Sequence, residues 1–373
     1  MLDVRKLLWG RSTSWWRRTT VAIASLVSAV LAAALMLSSE VAQASYPGAN
    51  GVIAWESFVF EYGDAYGCGG CASDRVRTAS STIASCDFSS AAQSCLFGEP
   101  SYSPDGRWMV LARLVPTDIS AGSGDDGALM VVGGGGERML ARQTVDDRDP
   151  AFLHSGNALV FDGRTSPGGQ VNLFTLGTSG TGLRQLTRSG GSQPAPCANG
   201  TIAFVKHHDI YLLSANRRSQ RRVTFRGGDD PSCAPDSSRI AFVRNGDLYT
   251  IASDGTRLHR LTFKATSHFP SSRAYSPTYS PDGREIGFLA AYDAPQQNGS
   301  QVALELVNLQ GRHVRPNRVS ADTAFSNGSY VASNSAGIAW QPRPNAAAAV
   351  LERRWGNPTR RQHNRVARDL RTT

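Results

Sequence analysis

Apolar residues in this chain come in short runs rather than in long helical stripes. Five runs share one pattern: Trp108-Met-Val-Leu111, Ala158-Leu-Val-Phe161, Ile202-Ala-Phe-Val205, Ile240-Ala-Phe-Val243 and Ile286-Gly-Phe-Leu289. Each is followed, after a polar turn, by a second run: Leu129-Met-Val-Val132, Asn172-Leu-Phe174, Asp209-Ile-Tyr-Leu212, Asp247-Leu-Tyr249 and Leu304-Glu-Leu306. A Gly-bearing turn comes next, and then a short stretch ending in Leu186-Thr187, Val223-Thr224 or Leu261-Thr262. β-branched and aromatic runs bounded by turn residues predict strands.

A recurring phrase sets the period. Pro100-Ser-Tyr-Ser-Pro-Asp-Gly106 returns as Pro277-Thr-Tyr-Ser-Pro-Asp-Gly283, with looser copies beginning at Pro150, Pro194 and Pro231. Pro presets φ, Asp bonds its own backbone and Gly permits a positive φ, so the triplet predicts a tight turn. Repeats of this length built from four short strands predict an all-β, six-bladed β-propeller of four-stranded antiparallel blades. Five blades read with their strands in order. Gly51-Val-Ile-Ala-Trp55 matches a second strand with no first, and Gly337-Ile-Ala-Trp-Gln-Pro342 matches a first strand with nothing after it. The C-terminal strand is therefore expected to complete blade 1, closing the ring and leaving no open sheet edge.

The repeat resembles that of the TolB-like six-bladed β-propellers, whose blades carry a P-x-[WY]-S-P-D-G turn, an I-A-F strand, a D-I-Y strand and an L-T ending. The resemblance covers about residues 46–342 and is strongest in blades 2, 5 and 6. It implies a fold and a habit of binding other molecules. It does not imply a reaction, because propellers host many unrelated functions.

The ends differ from the middle. Arg5, Lys6, Arg11, Arg17 and Arg18 precede an apolar stretch at 21–37 and a small-x-small site, Ala42-Gln-Ala44. Residues 1–44 read as an export signal cleaved after Ala44, with the alternative of an uncleaved anchor. Residues 343–373 hold eight arginines and two acids and read as a flexible basic tail, able to make a weak contact with an anionic envelope. The propeller segment between them is about neutral. The +9 net charge thus belongs to the termini, and a basic nucleic-acid-binding face is not expected. Lysine occurs only at 6, 206 and 264, so arginine is the general basic residue here and one arginine alone marks nothing.

Six cysteines suit an oxidising compartment. Cys68, Cys71, Cys86 and Cys95 are disulfide candidates within a long blade-1 insert, with connectivity left open. Cys197 and Cys233 fall at nearly equivalent places on neighbouring inner strands, as an inter-blade bridge or as two buried thiols. No metal or cofactor is expected. Gly133-Gly-Gly-Gly136 lacks the Lys-Ser/Thr of a phosphate loop, and no Gly-x-Ser-x-Gly elbow occurs.

One pattern points to recognition. The residues before the repeat prolines are Glu99, Asp149, Gln193, Asp230 and Ser276. Propeller connectivity gathers them where the outer strand of one blade passes to the inner strand of the next, with Asp146, Asp147, Asp229 and the His207-His208 turn nearby. Asp149 and Asp230 are expected to face solvent. An acidic mouth of this kind suits a cation or a basic segment of a partner. The functional expectation is an exported, monomeric, non-catalytic binding or scaffold protein for a protein or cell-envelope polymer. The rival is a propeller lyase or hydrolase of polysaccharide or peptide.

Overall fold

The computed structural model describes residues 49–61, 71–78, 82–87, 96–115, 126–133, 136–140, 144–263, 273–294, 299–312 and 337–343. Every regular element among them is a β-strand, and the strands form six antiparallel sheets. Blade 2 runs Leu96–Tyr102, Trp108–Val115, Asp126–Gly133 and Gly136–Met139 from inner to outer strand. Blade 3 runs Val145–Phe152, Ala158–Arg164, Asn172–Gly177 and Arg184–Gln185. Blade 4 runs Ser192–Pro196, Ile202–Lys206, Asp209–Leu213 and Gln220–Arg222. Blade 5 runs Asp229–Cys233, Arg239–Arg244, Asp247–Ala252 and His259–Arg260. In the sixth sheet three strands lie among the described residues, Arg273–Tyr279, Glu285–Ala294 and Gly299–Asn308. Its expected fourth strand lies outside them.

Blade 1 joins the two ends. Ile338–Arg343 is its inner strand and pairs with Ala49–Glu61 through Ile53↔Trp340, Ala54↔Ala339 and Trp55↔Ile338. Cys71–Arg77 and Thr82–Asp87 complete the sheet. The propeller is therefore all-β, with five complete four-stranded blades beside the three-stranded sheet.

The second-strand pattern explains how blades stack. Successive strand residues point to opposite faces. Ile202 and Phe204 pack with Phe161 and Phe174 of blade 3, while Ala203 and Val205 pack with Ile240 and Phe242 of blade 5. Ala241 and Val243 in turn meet Ile286 and Phe288 of blade 6. Each strand thus turns its larger pair toward the preceding blade and its smaller pair toward the next, so that faces interdigitate. Phe161–Phe174, Phe204–Tyr211 and Phe242–Tyr249 are cross-strand partners with ring centres 5.8, 5.8 and 5.7 Å apart. Each wholly buried phenylalanine contributes roughly 1.5–3 kcal/mol.

Polar repeat residues close the strand ends. At Ser103-Pro-Asp-Gly106 the Gly106 N–H donates to the Ser103 carbonyl at 2.8 Å, with Gly106 at φ 69°. Asp105 accepts from Arg107 N–H at 3.1 Å. The threonine of each Leu-Thr ending also has a structural use. Its hydroxyl accepts the N–H of Leu173, Ile210 or Leu248 at 2.8–2.9 Å, standing in where the short outer strand supplies no carbonyl.

Cys197 and Cys233 form a disulfide between blades 4 and 5, with Cα atoms 5.3 Å apart. This resolves the choice between a bridge and two thiols. The side chains of Cys68, Cys71, Cys86 and Cys95, the export signal, and residues 344–373 lie outside the description.

Candidate functional site

The residues before the repeat prolines share one backbone state. Glu99, Asp149, Gln193, Asp230 and Ser276 have φ of 63, 48, 52, 52 and 47°. At each, the inner strand slips register against the second strand, as between Gly98 and Ser101 or Asp229 and Ser232. One extra residue makes a β-bulge. Proline has no N–H, and the bulge turns the preceding N–H out of the ladder, so that buried donor needs another acceptor.

The acceptor comes from the neighbouring blade. The Asp149 N–H donates to the Glu99 carboxylate. The Asp230 N–H donates to Gln193 Oε1, and the Ser276 N–H to Asp230 Oδ2, both at 3.0 Å. Gln193 Nε2 also donates to Asp230 Oδ1 at 3.0 Å. The Gln193 N–H uses Asp162 Oδ2 of blade 3, again at 3.0 Å. These side chains latch blades 2 to 6 in succession. By alignment of the inner strands, Gly337 takes the place in blade 1. A Cβ there would lie 2.4 Å from Pro100 Cδ and 2.8 Å from Glu99 Cα, so only glycine fits.

This corrects the expectation of a solvent-facing acidic mouth. Asp149 and Asp230 are 0 % exposed, Glu99 1 % and Gln193 6 %. The bulge that draws them together also turns them inward to serve backbone donors.

Charge follows from this burial. Burial raises the Asp149 carboxyl well above its usual range, and the charges of Glu99 and Asp162 raise it further. Asp162 is pushed up to about 7 by burial and then by Glu99, while hydrogen bonds from Gln193 and Asp149 and the charge of Arg148 pull it down. Like charges in a dry cluster cannot all ionise. Asp149 therefore keeps its proton, which leaves it one O–H to offer to Glu99 or to Asp162. Arg148 is held by Asp146 at 2.5 Å, and Asp146 also takes Arg164 at 2.8 Å. Among the described residues no group of three His, Cys, Asp or Glu is arranged to hold a metal ion.

What this face offers to solvent is different. His207 and His208 form the two-residue turn between the second and third strands of blade 4, at φ 52 and 57°. Blade 5 has Asn245-Gly246 at the equivalent turn, the usual pair for two positive φ values. Both histidines are exposed, and His208 Nδ1 lies 3.5 Å from Asp229 Oδ1. Burial raises the Asp229 carboxyl, and His208 opposes that rise. Beside this turn Phe225 is 71 % exposed, and in blade 5 its counterpart Phe263 is 47 % exposed. Arg222 lies over the Phe225 ring at 4.7 Å and Arg260 over the Phe263 ring at 4.4 Å. Both guanidiniums are aimed by buried carboxylates, Arg222 by Asp209 at 2.5 Å and Arg260 by Asp247 at 2.6 Å. Arg222 Nε and Arg260 Nε further donate to the carbonyls of Thr224 and Thr262 at 2.8 and 2.9 Å.

The sequence carries a sign of this arrangement that the strand reading passed over. Arg222-Val-Thr-Phe225 and Arg260-Leu-Thr-Phe263 share the pattern Arg-apolar-Thr-Phe in adjacent blades, each 13 residues after an Asp that opens a third strand.

The ring of sheets, the bulged inner strands and the blade-to-blade latches define a β-propeller. Among solved structures, the fold is similar to TolB from Acinetobacter baumannii, with a TM-score of 0.51, 15 % identity, and 78 % of this chain and 67 % of that chain covered. It is also similar to Kuenenia stuttgartiensis hydrazine synthase, with a TM-score of 0.53, 11 % identity, and 80 % of this chain covered. There it spans 48 % of the other chain, about half. At these identities the likeness is one of fold. No protein-family model matches the sequence, and no curated protein sequence matches it.

Proposed function

We propose that this is an exported binding propeller that recognises a protein partner on the face bearing His207, His208, Phe225 and Phe263. The observation that carries this reading is the pair of exposed phenylalanines, each under a guanidinium held in place by a buried carboxylate. A large exposed ring under a cation supplies apolar area and charge together, as recognition surfaces do. Repetition of the unit in adjacent blades makes a patch rather than one stray side chain. The acids of this face are turned inward or paired, while Arg222 and Arg260 lie over the rings and Arg226 follows Phe225 in sequence, so the partner segment is acidic rather than basic. Export is supported by the leader-like residues 1–44 and by the Cys197–Cys233 disulfide.

The test is a photo-crosslinking residue placed at Phe225, at Phe263, or at Leu183, an exposed side chain in a turn at the other end of the sheets. The expected result is one crosslinked protein from the first two sites and none from Leu183. Equal capture from all three sites, or crosslinks to nucleic acid or polysaccharide alone, would remove the protein-binding reading.

A further inference from the structure

At the opposite end of the sheets an outer-strand arginine ties two of the blade junctions, and at two others it does not. Arg138, Arg184, Arg221 and His259 occupy one register position on the outer strands of blades 2 to 5, facing Val131, Thr175, Leu212 and Thr250. Arg138 donates to the Thr178 carbonyl in the turn of blade 3. Arg221 donates to the carbonyls of Ser253 and Asp254 in the turn of blade 5. Between blades 3 and 4, Arg217 of the blade-4 turn comes up beside Arg184, but its bond, to the Gly200 carbonyl at 2.7 Å, stays within blade 4. Between blades 5 and 6 the position is His259, whose side chain is shorter and makes no such bond to the Leu309-Gln310 turn.

A cleft of about 470 Å³ opens there. Arg239, Arg257 and His259 line it, with the buried Thr250 at its inner end. Among the described residues no carboxylate lines it, and none of the three basic groups is in an ion pair. The nearby acids are occupied in turns. Asp254 accepts from Thr256 N and Oγ1 at 2.8 and 2.6 Å, and Asp236 accepts from Ser238 N and Oγ at 3.0 and 2.8 Å. The remaining wall is apolar, formed by Leu309 and by Leu258, which is 50 % exposed.

We infer that this cleft binds a small molecule bearing an oxyanion, phosphate or carboxylate, on an apolar body. Asp254, near Arg257, is already engaged by Thr256, so the two guanidiniums keep donor forks matched to oxyanion geometry, with His259 beside them. The volume exceeds what a bare phosphate fills and lies within the range of small-ligand sites, so the leucine wall is there for the rest of the molecule. The site is independent of the recognition face proposed above.

Isothermal titration of the full chain tests it, with phenyl phosphate, benzoate, inorganic phosphate and benzyl alcohol as probes. The expected result is saturable binding of phenyl phosphate or benzoate, about tenfold or more tighter than benzyl alcohol and tighter than inorganic phosphate. Preference between the two aryl anions identifies the oxyanion. Arg257→Gln lies in an exposed turn and should leave the fold intact while weakening binding about tenfold. Leu258→Asn should weaken the aryl anion and leave inorganic phosphate unchanged. Phe225→Ala with Phe263→Ala should change neither. Absence of saturable binding by both aryl anions, or undiminished binding by the Arg257→Gln protein, would overturn the inference.

Discussion

Replacing Asp149 by asparagine should make the protein more resistant to unfolding, and increasingly so as pH rises. In the fold, Asp149 is fully buried between Glu99 and Asp162 and keeps its proton well above the ordinary carboxylate value of 3.8. In the unfolded chain it ionises near that ordinary value. A carboxyl raised on folding gives its full stability below the unfolded value and loses it as pH climbs toward the folded value. The cost accrues at about 1.36 kcal/mol per pH unit across that window. Asparagine presents the same donor geometry through its amide without a proton to lose. From pH 5 to pH 7 the stability of Asp149→Asn relative to the parent should therefore rise steadily. Around pH 4 the two proteins should agree within about 1 kcal/mol, the usual worth of one hydrogen bond. Urea unfolding at pH 4, 5, 6 and 7, followed by tryptophan fluorescence, measures the difference directly. A difference that does not change with pH would mean that Asp149 is ionised in the fold, and the description of Asp149 as the protonated member of the cluster would fail.

Three further outcomes follow from the latches, the closure and the bridge. Asp230→Ala strips the acceptor from the Ser276 N–H and from Gln193 Nε2, both buried, and should cost about 3 kcal/mol by urea titration, while Asp230→Asn, which keeps one oxygen, should cost less. Deleting residues 337–373 removes the inner strand of blade 1 and should give aggregated or low-melting protein, whereas deleting 346–373 should leave the melting temperature unchanged; equal melting of both forms would refute closure by this strand. Replacing Cys197 and Cys233 by serine opens a bridge across 36 residues and should cost about 3–4 kcal/mol, and a variant as stable as the parent would show that the bridge contributes nothing.

The fold was legible because its determinants are local and repeated. The alternation in Ile202-Ala-Phe-Val205 and its copies is the packing rule between blades, and the unmatched strands at Gly51 and Gly337 announced the closure. The candidate site was legible in position but not in exposure. Sequence connectivity gathered Glu99, Asp149, Gln193 and Asp230 correctly at one end of the inner strands. Their acidity suggested solvent, but acidity does not report the bulge. Only the positive φ at each residue shows that a backbone N–H is left for the neighbouring side chain to satisfy. Phe225 and Phe263 escaped notice for the opposite reason. In a repeat an aromatic residue reads as core, and its exposure depends on lying just past the end of the outer strand. The His259 cleft was hidden because a missing contact leaves no mark in a sequence until its neighbours at 138 and 221 are seen to make that contact.

Recognition through the paired phenylalanines is the central claim, and one affinity comparison bears on it most directly. With the crosslinked partner in hand, its binding to the parent and to Phe225→Ala/Phe263→Ala should be measured by biolayer interferometry at equal salt. Both rings are exposed, so the double variant should melt with the parent. Loss of anchors at the centre of an interface should weaken binding by about 100-fold or more. Binding within about twofold of the parent, by a variant that melts at the parent's temperature, would contradict the claim.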